Sequence, residues 1–144
     1  MTYDALKIAA YVVQRCHETG TTVSNLKLQK ILYFLQAEFL VSKDECCFYQ
    51  RIEAWSFGPV VPDVYHEYKI YGGAAIPYVA GSHTIVFAKQ DQKCMDRMID
   101  KCSKYSASDL VQITHRQSPW KDAYSPYANK EITINSIKDF FKKD

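Results

Sequence analysis

The chain of 144 residues has no apolar run long enough to cross a membrane as a helix. Its first residues, Met1 to Asp4, lack the basic and apolar blocks of a signal peptide. Both absences predict a cytoplasmic protein without a membrane partner. The sequence also has no internal repeat, no low-complexity tract and no stretch typical of a linker. We therefore expect a single domain over residues 1–144.

The cysteines show neither paired CxxC spacing nor flanking histidines at zinc-site spacing. Their odd number also argues against a disulfide framework, so we predict reduced thiols and no metal site. Apolar helical faces are predicted to hold three of them, where cysteine acts as a small hydrophobe. The adjacent pair in a predicted loop could be redox-active, which is the less favoured reading. The five are Cys16, Cys46, Cys47, Cys94 and Cys102.

Signatures of catalysis are also missing. The chain has no glycine-rich phosphate loop and no nucleophile elbow, and its four histidines are scattered. The segment around His66 and Glu67 lacks the second histidine of a metalloprotease helix. A nucleotide hydrolase would need clustered carboxylates, but Asp91, Asp96 and Asp100 fit the solvent-exposed side of a helix. We predict a protein that is not an enzyme and needs no cofactor.

The charge balance is nearly even. Eighteen basic and 16 acidic residues give a net charge of +2, which is too small to indicate nucleic acid binding. A DNA-binding regulator would need basic residues on a recognition helix, for which Lys27 and Lys30 are the nearest candidates. Nucleic acid is therefore not the expected partner.

Tyrosine, by contrast, is abundant, with 11 residues. Tyrosine excess favours a binding surface, because the ring supplies contact area while the hydroxyl stays hydrated. The alternative is that the tyrosines line the half-exposed edges of a helical fold, and composition leaves both readings open.

The most informative stretch runs from residue 52 to residue 73. Alternation predicts a strand over 52–57 that Gly58-Pro59 ends, and Pro62 suits the first position of a helix. Gly72-Gly73 predicts a left-handed exit from that helix. The stretch is rich in aromatic rings and offers no nucleophile, so it indicates recognition rather than catalysis.

Helical periodicity dominates the remainder. We expect a first helix capped by Thr2 and ended by Gly20, and a central helix capped by Ser24 or Asn25. Later helices are predicted after caps at Asp91, at Ser106 with Asp109 in a capping box, and at Ser118 before Pro119. Short strands are expected at 84–87 and 131–133, before a C-terminal helix containing Ile137, Phe140 and Phe141. The fold class is thus mainly α (α+β): a compact fold of about six helices with a small two- or three-stranded β element.

Several segments together resemble one family. The first is Asn25-Leu26-Lys27-Leu28-Gln29-Lys30-Ile31-Leu32-Tyr33-Phe34. It is followed by Ile52-Glu53-Ala54-Trp55, Gly58-Pro59-Val60-Val61-Pro62, Val64-Tyr65 and Tyr71-Gly72, and then by Thr114-His115 and Pro119-Trp120. In this order and spacing they resemble the Panacea domain, a family also described as phage-associated or SocA-like. The resemblance spans almost the whole chain.

The resemblance implies an antitoxin-like interaction module of a bacterial or prophage toxin-antitoxin system. Such modules are encoded beside a toxin gene and neutralise the toxin by direct contact. The partner would then be a cognate toxin protein from an adjacent gene. For part of the family the resemblance implies an alternative role as a proteolytic adaptor, which delivers its partner to a cytoplasmic protease. A DNA-binding phage regulator is a further alternative.

The candidate partner-binding or family-motif residues lie in two segments, 55–71 and 115–120. Trp55 and Trp120 are expected as packing anchors more than as contact residues. His115 is expected either as a cap stabilised by the helix dipole or as a hydrogen-bonded support. The full set is Trp55, Gly58, Pro59, Val60, Pro62, Tyr65, Tyr68, Tyr71, His115, Pro119 and Trp120.

Overall fold

The structure is a computed structural model, and it describes residues 1–80 and 86–142. Within them, seven α-helices, one short 3-10 helix and three strands form the predicted α+β fold, with one helix more than expected. The helices are α1 (Ala5–Glu18), α2 (Asn25–Lys43), α3 (Pro62–Tyr68), the 3-10 helix (Lys69–Tyr71), α4 (Lys89–Ser103), α5 (Ala107–His115), α6 (Ser118–Ala123) and α7 (Ile134–Lys142). The strands are β1 (Ile52–Trp55), β2 (Gly58–Val60) and β3 (Lys130–Ile132).

Helix α2 is the central helix, as predicted. It packs against α1, α3, α4, α5, α7 and strand β2. Ser24 caps it by accepting a hydrogen bond from the Lys27 backbone N–H. Because neighbours surround it, even polar positions such as Gln29, Lys30 and Gln36 are buried. Each must therefore find a hydrogen-bond partner inside the protein.

The predicted cap of α1 was wrong. Asp4, not Thr2, accepts the hydrogen bond from the Leu6 backbone N–H, because the helix begins at Ala5 rather than nearer the terminus. Thr2 instead donates to the carbonyl of Cys46. Beyond the end of α1, Gly20 adopts a φ of +79°, which agrees with its predicted role as the helix terminator.

The three strands form an antiparallel sheet in the order β2-β1-β3. The prediction that Gly58-Pro59 ends the first strand was wrong, since these residues belong to β2. Trp55 pairs with Gly58, so the reversal occurs at Ser56 and Phe57. Strand β3 and the start of α3 at Pro62 confirm their predictions. The strand predicted over 84–87 lies partly outside the described residues, and Val86 and Phe87 are not in a strand.

The acidic residues of α4 contradict the sequence prediction twice. Ala88 occupies the N-cap position, while Asp91 lies in the first turn and is buried. Nor do the acidic residues form a free solvent-exposed face: Tyr3 and Tyr11 donate 2.6 Å hydrogen bonds to Asp91 and Asp96, and Asp100, with 42% of its side chain exposed, pairs with Arg15. All the carboxylates of this helix that face α1 are therefore engaged within the fold.

The last helices agree with the sequence except at one cap: Gln117, not Ser118, is the N-cap of α6, because Ser118 is the first residue of that helix. Ser106 and Asp109 form the predicted capping box of α5. Helix α6 has a proline in its first turn, and Ile137 is fully buried on α7. None of the helices formed by residues 1–80 and 86–142 is both long and apolar enough to span a membrane.

The five cysteines are free, and all but Cys46 are buried. Burial raises the pKa of the thiols, most strongly for Cys47. We expect one thiol, that of Cys46, to react rapidly with a disulfide reagent in the native protein, and all five to react in denaturant without reductant. Elemental analysis is expected to find no bound metal. A denatured titre of three or fewer in anaerobic material, or stoichiometric zinc, would contradict the cysteine interpretation.

Candidate protein-interaction surface

A groove of about 320 Å³ opens beside the β1-β2 turn. We call it the aromatic groove and define it by Leu26, Trp55, Phe57, Val60, Tyr65 and Lys69, which line it together with polar residues of α2. Most of its accessible lining is apolar. Grooves of this composition at a rigid turn are typical of sites that receive a side chain of a partner protein.

Aromatic rings give the groove its shape. The Trp55 ring meets the Tyr65 ring edge to face, with 4.9 Å between their centroids. The Trp55 indole nitrogen donates a 2.9 Å hydrogen bond to Glu53, which fixes the orientation of the ring. At the tip of the hairpin, Phe57 is 64% exposed, an unusual exposure for a phenylalanine. The groove therefore combines fixed rings with one large ring in solvent.

Polar side chains of α2 hold the backbone on which the groove is built. The Lys30 ammonium donates to the backbone carbonyl of Pro59 at 2.9 Å. The side-chain oxygen Oε1 of Gln29 accepts from the backbone N–H of Val61 at 2.9 Å. Asn25 donates to the Tyr65 carbonyl at 3.1 Å and accepts from Gln29. We call Asn25, Gln29 and Lys30 the polar clamp. All are buried, so the clamp fixes the segment from β2 into α3.

Lys30 is the most unusual member of the clamp. Its side chain is 0% exposed, and no carboxylate among residues 1–80 and 86–142 pairs with it. Burial lowers its pKa to about 7, because an ammonium loses its hydration in the interior. A buried lysine offers no charge to a DNA backbone. Lys27 is also occupied, since it donates to the Ser103 carbonyl at 3.0 Å.

Gly58 lies directly against Lys30. Its φ is +106°, a backbone conformation that residues with a side chain rarely adopt. A Cβ atom at this position would lie 2.6 Å from Lys30 Cε and 3.0 Å from Thr114 Oγ1. The glycine is therefore required for both backbone conformation and space.

Residues of α5 and α6 support the groove from behind. The Trp120 indole donates to the Trp55 carbonyl at 2.8 Å. The Trp120 ring is stacked between His115, at 3.9 Å, and Tyr124, at 4.7 Å. Trp120 is thus a packing anchor, which agrees with the expectation from sequence.

The surroundings of His115 disfavour its charged form, which argues against a cap stabilised by the helix dipole. Burial and the nearby Lys30 charge lower the pKa of His115, although a hydrogen bond with the Ser56 backbone opposes this. Its buried Nε2 has no hydrogen-bond partner among the described residues. The stacking of His115 on Trp120 and its hydrogen bond with the Ser56 backbone fit the hydrogen-bonded support that the sequence offered as the other reading.

The structure brings some of the candidate residues together and separates others. Trp55, Val60 and Tyr65 line the aromatic groove, and Gly58, Pro59, His115, Pro119 and Trp120 lie beneath or behind it. Pro62 begins α3 and lines a different shallow cleft. Tyr68 and Tyr71 line a third cleft of about 210 Å³, where Tyr68 is half-buried against the core and Tyr71 is 39% exposed.

Sequence reasoning missed the role of the polar clamp and the exposure of Phe57. The available signal was the presence of Asn25, Gln29 and Lys30 on the helix that the sequence predicts to be the central one. Polar residues at such positions indicate buried hydrogen bonds to a neighbouring backbone.

Comparison with known proteins shows the family of the chain. The family described as "Antitoxin SocA-like, Panacea domain" matches residues 28–121, which contain most of the groove and its support. The curated protein "Antitoxin SocA" of Caulobacter vibrioides (strain NA1000 / CB15N) is 34% identical over 128 residues, which cover 81% of this chain and 68% of that protein. No solved structure matches the chain. Because both matches cover most of the chain, they show that the chain belongs to the SocA-like antitoxin family with the Panacea domain.

Proposed function

We propose that the protein is an antitoxin that neutralises a partner toxin by direct contact at the aromatic groove. Family membership supports the antitoxin role. The observation that supports this location is the exposed Phe57 ring on a hairpin whose backbone is fixed by the polar clamp. In this proposal, the motif residues beneath the aromatic groove hold its shape, and the motif residues that line the groove contact the toxin.

Rigidity is what makes this hairpin a favourable binding element. Ordering a mobile loop on binding costs free energy, and a loop that is already ordered avoids that cost. The Trp120 hydrogen bond to the Trp55 carbonyl and the clamp bonds to Pro59 and Val61 hold both strands of the hairpin. Phe57 is thereby presented in one position, as is typical of an interface anchor.

Binding without chemistry fits the polar groups of the groove. Asn25 and Gln29 line it, but their amides are committed to each other and to backbone groups. His115 is held behind the hairpin by Trp120 and the Ser56 backbone. We therefore propose no catalytic step. We also propose that the toxin and the antitoxin meet in the cytoplasm and that the toxin gene lies beside the antitoxin gene. Delivery of the toxin to a protease would be a separate property, recognisable by a shortened lifetime of the toxin.

Growth rescue on co-expression with the adjacent gene product tests the proposal. Wild-type protein is expected to restore growth when that product is toxic. Phe57→Ala is expected to weaken rescue at equal protein level, because it removes an exposed ring and no core contact. Its thermal melting curve is expected to stay nearly unchanged.

Tyr127→Ala is the matched control, since Tyr127 is 94% exposed and lies outside the groove. This variant is expected to rescue growth as wild type does. Tyr71→Ala tests whether the contact extends to the neighbouring cleft. Trp55→Ala is expected to damage both folding and rescue, because Trp55 packs on Tyr65. Full rescue by Phe57→Ala at equal protein level would rule out the groove as the contact site.

A further inference from the structure

Helix α4 separates its charges by face. Its acidic residues face α1 and the end of α2: Asp100 binds Arg15 of α1 at 2.7 Å, and Asp91 binds Lys43 of α2 at 3.2 Å. Asp96 accepts a hydrogen bond from Tyr11. Burial opposes ionisation of Asp91, but the hydrogen bonds from Tyr3 and Lys43 hold its pKa below the usual value. The negative charges of this helix are thus neutralised within the fold.

The positive charges of α4 are not neutralised. We define the basic ridge by Lys89, Lys93, Arg97, Lys101 and Lys104, all exposed. Within residues 1–80 and 86–142, none of them takes part in an ion pair. The ridge residues follow each other every three or four positions, which corresponds to about 6 Å along the helix axis. A chain with a net charge of only +2 therefore carries a locally strong positive potential.

An apolar groove runs beside the ridge. We call it the α4-α5 groove, which has a volume of about 270 Å³ and is lined by Phe34, Met98, Tyr105, Leu110, Ile113 and Phe141 among others. Lys101 of the ridge is part of its wall. The acidic residue at its rim is Glu38, whose carboxylate accepts a hydrogen bond from Ser42. The groove thus offers an apolar floor with Lys101 in its wall, and Arg97 of the ridge lies one helical turn before Lys101.

We propose that the α4-α5 groove binds an acidic amphipathic helix of the toxin. This inference rests on the proposed antitoxin function and adds a second contact surface to it. The apolar face of the helix would enter the groove. Acidic side chains along one edge of that face would meet Arg97 and Lys101, whose separation of four residues matches one turn of a partner helix.

The apolar floor favours a protein helix over nucleic acid. DNA and RNA backbones use cations and hydrogen-bond donors, and gain little from a floor of Phe34, Met98 and Ile113. A helix with an apolar face and an acidic edge uses both the floor and the ridge. Charge complementarity of this kind also excludes basic competitors, because like charges would face each other.

The direct test uses a fluorescent synthetic helix of about four turns, with leucines on one face and glutamates along its edge. Its anisotropy is measured against the full-length protein. The glutamate peptide is expected to bind, and a peptide with lysine in place of each glutamate is not. Arg97→Glu with Lys101→Glu is expected to weaken binding about tenfold or more. Tyr105→Ala, which alters the groove without changing charge, is also expected to weaken it.

Lys7→Glu with Lys121→Glu is the matched control, because it changes net charge equally at exposed lysines away from the groove. It is expected to bind the peptide as wild type does. Equal binding of both peptides, or no binding of either, would overturn the proposal. So would tighter binding of a mixed-sequence DNA duplex that is lost on reversing Arg97 and Lys101.

The same variants are then tested for co-purification with the toxin. Loss of toxin on charge reversal at Arg97 and Lys101, with retention in the control pair, supports the proposal. Retention in both would show that the toxin does not use this groove, while leaving the antitoxin function intact. If wild type itself fails to retain the toxin, the antitoxin function fails, and the peptide measurement alone decides whether the groove takes acidic helices.

Discussion

Gly58→Val is expected to lower the free energy of unfolding by about 3 kcal/mol or more. Backbone strain at a φ of +106° contributes roughly 1–3 kcal/mol. Overpacking contributes roughly 1–3 kcal/mol more, because the new Cβ would lie 2.6 Å from Lys30 Cε. Lys30 cannot simply move aside, since it is buried and its ammonium is bound to the Pro59 carbonyl. Denaturant unfolding at constant pH measures the loss.

Valine substitutions at two other glycines distinguish the cost of backbone strain from the cost of a steric clash. Gly20 has a φ of +79° but no heavy atom within 4 Å of a built Cβ, so Gly20→Val is expected to show the strain alone. Gly73 has neither a positive φ nor a close neighbour, so Gly73→Val is expected to change stability little. If Gly58→Val cost no more than Gly20→Val, the close approach of β2 to Lys30 would be refuted.

Lys30→Met is expected to make the protein more stable than wild type at pH 6 to 7, by about 2 kcal/mol. The substitution removes an ammonium whose burial is costly, which outweighs the loss of its hydrogen bond to the Pro59 carbonyl, worth roughly 1–3 kcal/mol. Methionine fills a similar volume with a flexible apolar chain. Lys30→Ala is the contrasting variant, since it removes the charge but also leaves a cavity, and is expected to be less stable than Lys30→Met.

The advantage of Lys30→Met is expected to depend on pH. Burial lowers the pKa of Lys30 to about 7 in the folded protein, whereas an unfolded lysine titrates near 10.4. Between these values the unfolded chain holds one more proton, so the lysine's contribution to stability rises with pH by about 1.4 kcal/mol per unit. The stability gap between Lys30→Met and wild type should therefore shrink from pH 7 to pH 9. A constant gap would mean that the lysine has an ordinary pKa.

Comparison of the two proteins at each pH isolates Lys30 from other groups. Burial raises the pKa of the cysteines and of tyrosines such as Tyr33, so both proteins lose stability together at alkaline pH. His115, whose pKa is lowered in the folded protein, affects stability at acidic pH instead. Its contribution to the free energy of unfolding is lost as the pH falls below about 6.5. Restricting the series to pH 7 to 9 avoids that second titration.

The helices could be predicted because their signals are local. Apolar periodicity in α2, the capping box of Ser106 and Asp109, and the proline at the start of α3 each act within a few residues. The strand limits at Gly58-Pro59 could not, because a glycine and a proline usually end a strand. Here pairing with β1 and the Lys30 hydrogen bond to the Pro59 carbonyl hold the two residues in β2 instead.

The site divides in the same way. Trp120 could be assigned a packing role from its large aromatic side chain, and its stacked ring and its hydrogen bond to the Trp55 carbonyl agree with that role. The acidic residues of α4 were misjudged, because their partners Tyr3, Tyr11 and Arg15 lie 85 or more positions away in the sequence. Pairing over such separations leaves no trace in a local pattern. The basic ridge becomes evident only once those pairs have been assigned.

The binding isotherm of the purified protein with the purified product of the gene proposed to encode its toxin tests the central proposal most directly. A saturable complex is expected for wild type and for Tyr127→Ala, with affinity reduced about tenfold or more by Phe57→Ala. The variant's far-UV spectrum and melting curve should match those of wild type, so that the loss reports contact rather than folding. Growth rescue without any detectable complex, or equal affinity of wild type and Phe57→Ala, would contradict neutralisation by contact at the aromatic groove.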